Sequence, residues 1–160
     1  RGNLAVLVGY EIELSYLLKR GADVWLNTPR RPREASGTSG MTAAMNGAVN
    51  VSVSDGWIPE FSVHGENCFV IPPADHNTMS TVEIDNYDYD NLMAVLENEV
   101  APAYYDHPER WLGIMRKSMH DVYPYFDSDR MAVEYYQKIY QHPFSPVDSL
   151  LNQVFDNHNS

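Results

Sequence analysis

Apolar and polar residues along this chain follow two periods, and the switches between them mark its elements. Leu4-Ala5-Val6-Leu7-Val8 is a continuous apolar run, which predicts a strand buried on both faces, as in a parallel sheet. From Ile12 the period lengthens. Ile12, Tyr16 and Lys19 share one helical stripe, Leu14, Leu17 and Leu18 share its neighbour, and Gly21 is a natural stop. Asp23 to Asn27 predicts a second buried strand, so strand, helix and strand together predict a βαβ unit with a right-handed crossover. Thr28 to Arg33 holds two prolines and three arginines and reads as a loop.

The next helix is predicted from about Thr38 through Ala43, Ala44 and Met45, stopping at Asn46-Gly47. Val49 to Val53 alternates Val, Asn, Val, Ser, Val, the pattern of a strand. Asp55-Gly56 and Gly65-Glu66-Asn67 turn the chain, and Cys68 to Ile71 is a further short strand closed by Pro72-Pro73. From Asp88 onward the pattern is helical. Leu92, Val95, Leu96 and Val100 form a stripe before Pro102. Trp111, Ile114, Met115, Met119 and Val122 form another, ending near Pro124. Asp127 or Ser128 caps a third helix carrying Met131, Tyr135, Ile139 and Tyr140, which Pro143 and Pro146 end. A weak amphipathic turn and a polar end follow from Val147. The expected class is α/β, a parallel sheet followed by helices, with an α/β part over residues 1–73 and a mostly helical part over 74–160.

Composition narrows the function. Of the 160 residues, 22 are acidic and 11 basic, a formal net charge of −11. The first sixty carry six of each sign; the remaining hundred carry five basic and sixteen acidic residues. An acidic chain repels phosphate backbones, so a nucleic-acid partner is disfavoured, and any anion site belongs in the neutral segment near Arg30, Arg31 and Arg33. A 44% hydrophobic content fills one domain core. The single cysteine, Cys68, excludes an intrachain disulfide framework, fits a reducing, cytoplasmic compartment, and is expected as a buried strand residue. No apolar run approaches the roughly 20 residues of a membrane helix. Arg1 is not an initiator methionine and the first apolar run begins almost at once, so the chain is expected to be part of something longer or a processed product.

A strand, a glycine-containing loop and a helix start make an anion site, because first-turn N–H groups and the helix dipole both favour negative charge. Glu34-Ala35-Ser36-Gly37-Thr38-Ser39-Gly40-Met41 has that form. Thr38 and Ser39 add hydroxyl donors, and Glu34 is placed to accept hydrogen bonds from a polyol. The spacing suggests a ligand with a phosphate and a sugar-like part; it fits a plain strand-to-helix turn capped by a threonine equally well.

Beyond pattern, Asp23-Val24-Trp25-Leu26-Asn27-Thr28-Pro29-Arg30-Arg31-Pro32 followed by Glu34 to Met41 closely resembles the C-terminal domain of the α-glucan (glycogen, starch, maltodextrin) phosphorylases. Asn46-Gly47-Ala48, Asp55-Gly56-Trp57, Arg116 to Ser118, Phe126, Arg130-Met131, Glu134-Tyr135 and Tyr140 extend the likeness to about His142. The resemblance implies a Rossmann-like half of a two-domain GT-B glycosyltransferase. It implies transfer of glucosyl between an α-1,4-glucan and phosphate, with glucose 1-phosphate as product and pyridoxal phosphate as cofactor. By position, Glu34, Ala35, Ser36 and Gly37 would bind the glucose. Thr38, Ser39 and Gly40 would hold the cofactor phosphate. The family's Schiff-base lysine falls at Thr42, whose hydroxyl cannot form an imine, and no lysine lies between Arg20 and Arg116. The N-terminal domain of the same full-length protein would supply further ligands, so the isolated chain is expected to be inactive and no catalytic residue is assigned within it. Thr42 also opens two alternatives: a PLP-independent nucleotide-sugar transferase, such as one of the glycogen/starch synthase kind, and a catalytically silent sugar-phosphate or glucan-binding module.

Other polar residues are expected to be structural. His64 reads as an exposed loop histidine rather than a metal ligand or acid–base group. Asp85, Asp88 and Asp90 read as a solvated acidic loop before a helix, because the glycine and distal glutamate of a calcium loop are absent. Arg30 and Arg31 either contact phosphate or pair with acids of another domain. The tyrosines and Trp111 read as packing rather than a glucan-stacking platform.

Overall fold

The computed structural model describes residues 2–141. The chain forms two compact units, Arg1–Tyr123 and Pro124–Ser160. In the first unit, helix α1 (Ile12–Gly21) leads to strand β1 (Val24–Asn27), helix α2 (Thr38–Met45), strand β2 (Val49–Val53), the one-turn helix α3 (Ile58–Phe61) and strand β3 (Phe69–Ile71). Helix α4 (Thr81–Val95) runs through a π-helical turn (Leu96–Val100) into α5 (Ala101–Tyr105), and α6 (Pro108–Phe126) follows.

The sheet is parallel, in the order β1-β2-β3, with Val24 opposite Val49 and Val51 opposite Phe69. The unit β1-α2-β2 is therefore the βαβ element, one step later in the chain than the sequence pattern predicts. Leu4 to Val8 forms no strand, and Leu4 and Val8 are 92% and 87% exposed. A continuous apolar run becomes a buried parallel strand only where a neighbouring strand and covering helices meet it, and no described element does so here. On α1, the anticipated stripe residues Ile12, Tyr16 and Leu17 are exposed for the same reason. Among the described residues Val24–Asn27 is an edge rather than a buried strand: β1 pairs with β2 alone, and Leu26 is exposed.

Strand β2 is the centre of the fold. All five of its residues are buried, although the alternation of valine with Asn50 and Ser52 resembles a strand with one wet face. Val49, Val51 and Val53 join Phe69, Ile71, Val95, Val100, Trp111 and Ile114 in the core. Asn50, pointing to the opposite face by the period of two, meets α2: its Nδ2 donates to the Gly40 carbonyl at 3.1 Å. Ser52 satisfies itself by donating to the Val53 carbonyl at 2.9 Å. Both faces are thus covered, one with a polar tie beneath the start of α2.

Helix α4 begins seven residues earlier than Asp88. Ser80 caps it: Glu83 N–H donates to Ser80 Oγ (3.4 Å), and Ser80 N–H donates to the Glu83 carboxylate (2.8 Å), a capping box within a polar stretch. Hydrogen bonds to its carboxylate, from the Ser80 hydroxyl first and the Ser80 N–H second, hold the Glu83 carboxyl below its ordinary range. Asp85, Asp88 and Asp90 accordingly lie on helix, not in a loop. Pro102 does not stop the run. Its ring would clash with the carbonyl four residues back and it donates no hydrogen bond; the wider π turn immediately before it fits both conditions.

Buried Asn67 ties the turn after α3 to α6. Its Nδ2 donates to the Phe61 carbonyl and to Asp121 Oδ2, both at 2.9 Å, and its Oδ1 accepts from Val63 N–H at 2.8 Å. Burial raises the Asp121 carboxyl, but the hydrogen bonds from Asn67, His120 and Lys117 bring it below its ordinary range. Asn67→Ala is expected to cost about 3 kcal/mol in urea denaturation at neutral pH, because it removes three hydrogen bonds made by one buried amide. The carboxylate's part of that cost is present above the ordinary carboxylate range and disappears as acid protonates Asp121.

In the second unit, α7 (Ser128–Tyr135) is capped by Asp127, which accepts from Asp129 N–H at 3.2 Å, and continues as a π turn (Tyr136–Tyr140). Arg130 donates to Glu134 at 2.6 Å and lies over the Tyr125 ring, and Lys138 donates to the same carboxylate. The stripe of Met131, Tyr135, Ile139 and Tyr140 is exposed. The stop at Pro143 and Pro146 and the polar end from Val147 lie outside the described residues. No helix among the described residues is long and apolar enough to cross a membrane.

Candidate functional site

The loop from Glu34 to Gly37 leaves the carboxyl end of the sheet and is held by the turn that follows β2. Glu34 N–H donates to Asp55 Oδ2 at 3.0 Å, and Trp57 N–H donates to the Ser36 carbonyl at 2.9 Å. Asp55 is buried and Trp57 is almost fully so. Gly56 sits between them at φ 58°, where a side chain is strained, and a Cβ there would lie 2.5 Å from the Ser36 carbonyl oxygen and 2.7 Å from Glu34 Cγ. Glu34 is half-buried, Ala35 and Ser36 are exposed, and Gly37 (φ 96°) turns the chain into α2 against the Trp57 ring.

Helix α2 starts at exposed Thr38, with Ser39 half-buried and Gly40 buried over Asn50 and Trp57. Among the described residues no side chain caps it, and its first turn contains no acidic residue. The N–H groups of Thr38 and Ser39 therefore have neither an intrahelical acceptor nor a capping carboxylate, and the positive end of the helix dipole is not neutralised by its own side chains. One turn on, exposed Thr42 donates its hydroxyl to the Thr38 carbonyl at 2.9 Å. All eight residues from Glu34 to Gly40 and Thr42 thus occupy one loop and one and a half turns of helix. A phosphate group fits the start of that helix. A covalent link from Thr42 to an aldehyde cofactor does not fit, because a hydroxyl cannot supply the nitrogen.

Three residues that sequence reading treats as turn or strand matter to this geometry: Asp55, Trp57 and Asn50. The one visible signal was Asp-Gly after a strand, which marks a turn but not the loop it clasps. Among the described residues Asn50 Oδ1 has no hydrogen-bond partner, and this buried amide bonds Gly40 through its Nδ2.

Other candidates resolve into structure. Arg30 forms a bidentate pair with Asp85 (two contacts of 2.7 Å), an acid of its own unit. His64 lies in an exposed loop but is committed at both ring nitrogens. Val70 N–H donates to Nδ1 at 3.0 Å, so Nε2 carries the hydrogen that reaches Glu99 at 2.7 Å. Cys68 is fully buried, and burial pushes its thiol up to about 12, the opposite of a nucleophile.

No family model matches the chain. Among known proteins it is similar to a maltodextrin phosphorylase of Thermococcus litoralis, 43% identical over 141 residues, which is 88% of this chain and 17% of that protein. A glycogen phosphorylase of Mycobacterium tuberculosis is 37% identical over 145 residues, 88% of this chain and 17% of its own length. One of Aquifex aeolicus is 37% identical over 144 residues, 87% and 20% respectively. The chain therefore spans about a fifth or less of these relatives.

Proposed function

We propose that this chain, which is homologous over most of its length to a segment of the maltodextrin and glycogen phosphorylases, forms the sugar- and phosphate-facing part of an α-glucan phosphorylase-like glucosyltransferase. In this reading residues 1–73 are the binding part and 74–160 the helical cover of a C-terminal half. A second domain of the full-length protein closes the cleft in the GT-B manner, and the isolated chain does not turn over. Glucan and phosphate are the substrates and glucose 1-phosphate the product. The lone, buried Cys68 supports a cytoplasmic location.

The observation that carries this reading is the clasped Glu34–Gly37 loop running into the uncapped start of α2. Glu34, its backbone fixed by Asp55, accepts hydrogen bonds from sugar hydroxyls. The backbone of Ala35, Ser36 and Gly37 follows the sugar's edge, and Thr38, Ser39 and Gly40 receive a phosphate. In the family pyridoxal phosphate supplies a phosphate group that acts on the substrate phosphate. Here only the non-covalent part of such a site is supported.

Thr42 favours a second reading, a nucleotide-sugar transferase whose diphosphate occupies the same helix start. The two separate cleanly. Phosphate-dependent release of glucose 1-phosphate by the full-length protein supports the first, and turnover of UDP- or ADP-glucose without pyridoxal phosphate supports the second. Glucan binding with neither activity leaves a silent binding module. In whichever reaction is found, Glu34→Gln should lower kcat/KM by about 30-fold, the worth of roughly 2 kcal/mol of charge-assisted hydrogen bonding. Unchanged kinetics would remove Glu34 from the sugar site.

A further inference from the structure

A cavity of about 460 Å³ opens at the carboxyl ends of the strands, beside the Glu34 loop but on the α4 side of the sheet. Its floor is Val53 and Ile71, the last residues of β2 and β3, and its walls carry Thr28, Arg33, Asp88 and Tyr89. The Arg30–Asp85 pair closes one side. The lining holds two arginines and two aspartates, so its formal charges sum to zero, and Arg30 is paired with Asp85. Such a cavity does not concentrate anions. Among the described residues, neither the Arg33 guanidinium nor the Asp88 carboxylate has a hydrogen-bond partner, so a donor and an acceptor are both available. Partial burial, and after it the charge of Asp85, raises the Asp88 carboxyl against the lowering effect of His76 and Arg30. Tyr89 lines the cavity and is 61% exposed.

We propose that this cavity is an accessory subsite for an uncharged oligosaccharide, with the Tyr89 ring against the apolar face of a sugar and Thr28, Arg33 and Asp88 bonding its hydroxyls. An aromatic side chain beside polar groups of no net formal charge suits a neutral polyol better than a phosphate. Arg33 adjoins Glu34 in the chain, so the cavity and the Glu34 loop share one stretch of backbone. The inference rests on the sugar-binding reading of that pocket and adds chain-length recognition to it.

The test is calorimetric titration of the full-length protein with glucose and with maltoheptaose. Tyr89→Ala and Asp88→Asn should each weaken maltoheptaose at least about fivefold and leave glucose affinity unchanged. Tyr89 is exposed and on a capped helix, so its truncation spares the fold, and Asp88→Asn checks the conclusion without removing a ring. Unchanged maltoheptaose affinity in both variants would overturn the subsite, as would equal loss of glucose and maltoheptaose, or a wild-type cavity that responds to inorganic phosphate and not to maltoheptaose. Glu34→Gln keeps the two claims apart. If it leaves glucose binding intact while Tyr89→Ala still weakens maltoheptaose, the Glu34 reading fails and the subsite stands.

Discussion

Thr42→Lys protein prepared with pyridoxal phosphate is expected to retain the cofactor through gel filtration and to fix it on borohydride reduction, whereas the parent protein releases it. The reason is chemical before it is structural. A stable link to the cofactor's aldehyde needs an amine, and no lysine lies between Lys19 and Lys117. The position tolerates the change. Thr42 is exposed on α2, and its hydroxyl spends its hydrogen bond on the Thr38 carbonyl, a local contact that favours bending more than helix. Lysine is the better helix former by a few tenths of a kcal/mol. Retention should rise at least about tenfold, which is 1.4 kcal/mol or more of binding. If cofactor content does not change, the pocket around α2 suits a different phosphate ligand, and the nucleotide-sugar reading gains.

Gly56→Ala is expected to be the most damaging single-methyl change near the site. At φ 58° an added Cβ costs about 1–2 kcal/mol in the left-handed region. It would also lie 2.5 Å from the Ser36 carbonyl oxygen, which is main chain and accepts the Trp57 N–H bond that clasps the loop. The loop must shift or the turn must reopen, so a total loss of about 3 kcal/mol in denaturant unfolding is expected. Sugar affinity should fall with it, because the second obstructed atom belongs to Glu34. An alanine variant with wild-type stability and wild-type glucose binding would show that the Asp55–Trp57 turn does not hold the site.

Much of the middle of the chain was legible. The helix from Thr38 to Met45, its stop at Asn46-Gly47, the strand from Val49 to Val53 and the short strand before Pro72 all follow from local pattern and stop signals, because those segments pack as their patterns require. Legibility failed where a contact distant in sequence decides. Leu4 to Val8 has strand composition but no described neighbour to pair with. Asp85 reads as a solvated loop acid until α4 brings it to Arg30, fifty-five residues away. The start of α4 was hidden because a capping box within a polar stretch precedes any apolar stripe.

The sequence by itself determined the order of elements through the central sheet, the small-residue loop before α2, its likeness to α-glucan phosphorylases and the absence of an amine at residue 42. Each is a property of neighbouring residues or of composition, which the chain carries before it folds. Only the tertiary structure decided that Asp55 and Trp57 clasp the Glu34 loop, that Asn50 turns inward to hold Gly40, that Arg30 is taken by Asp85, and that Tyr89 stands open at a charge-balanced cavity. Those outcomes depend on which faces of separate elements meet. A side chain's hydrogen-bond partner and its exposure are set by that meeting and not by its place in a pattern.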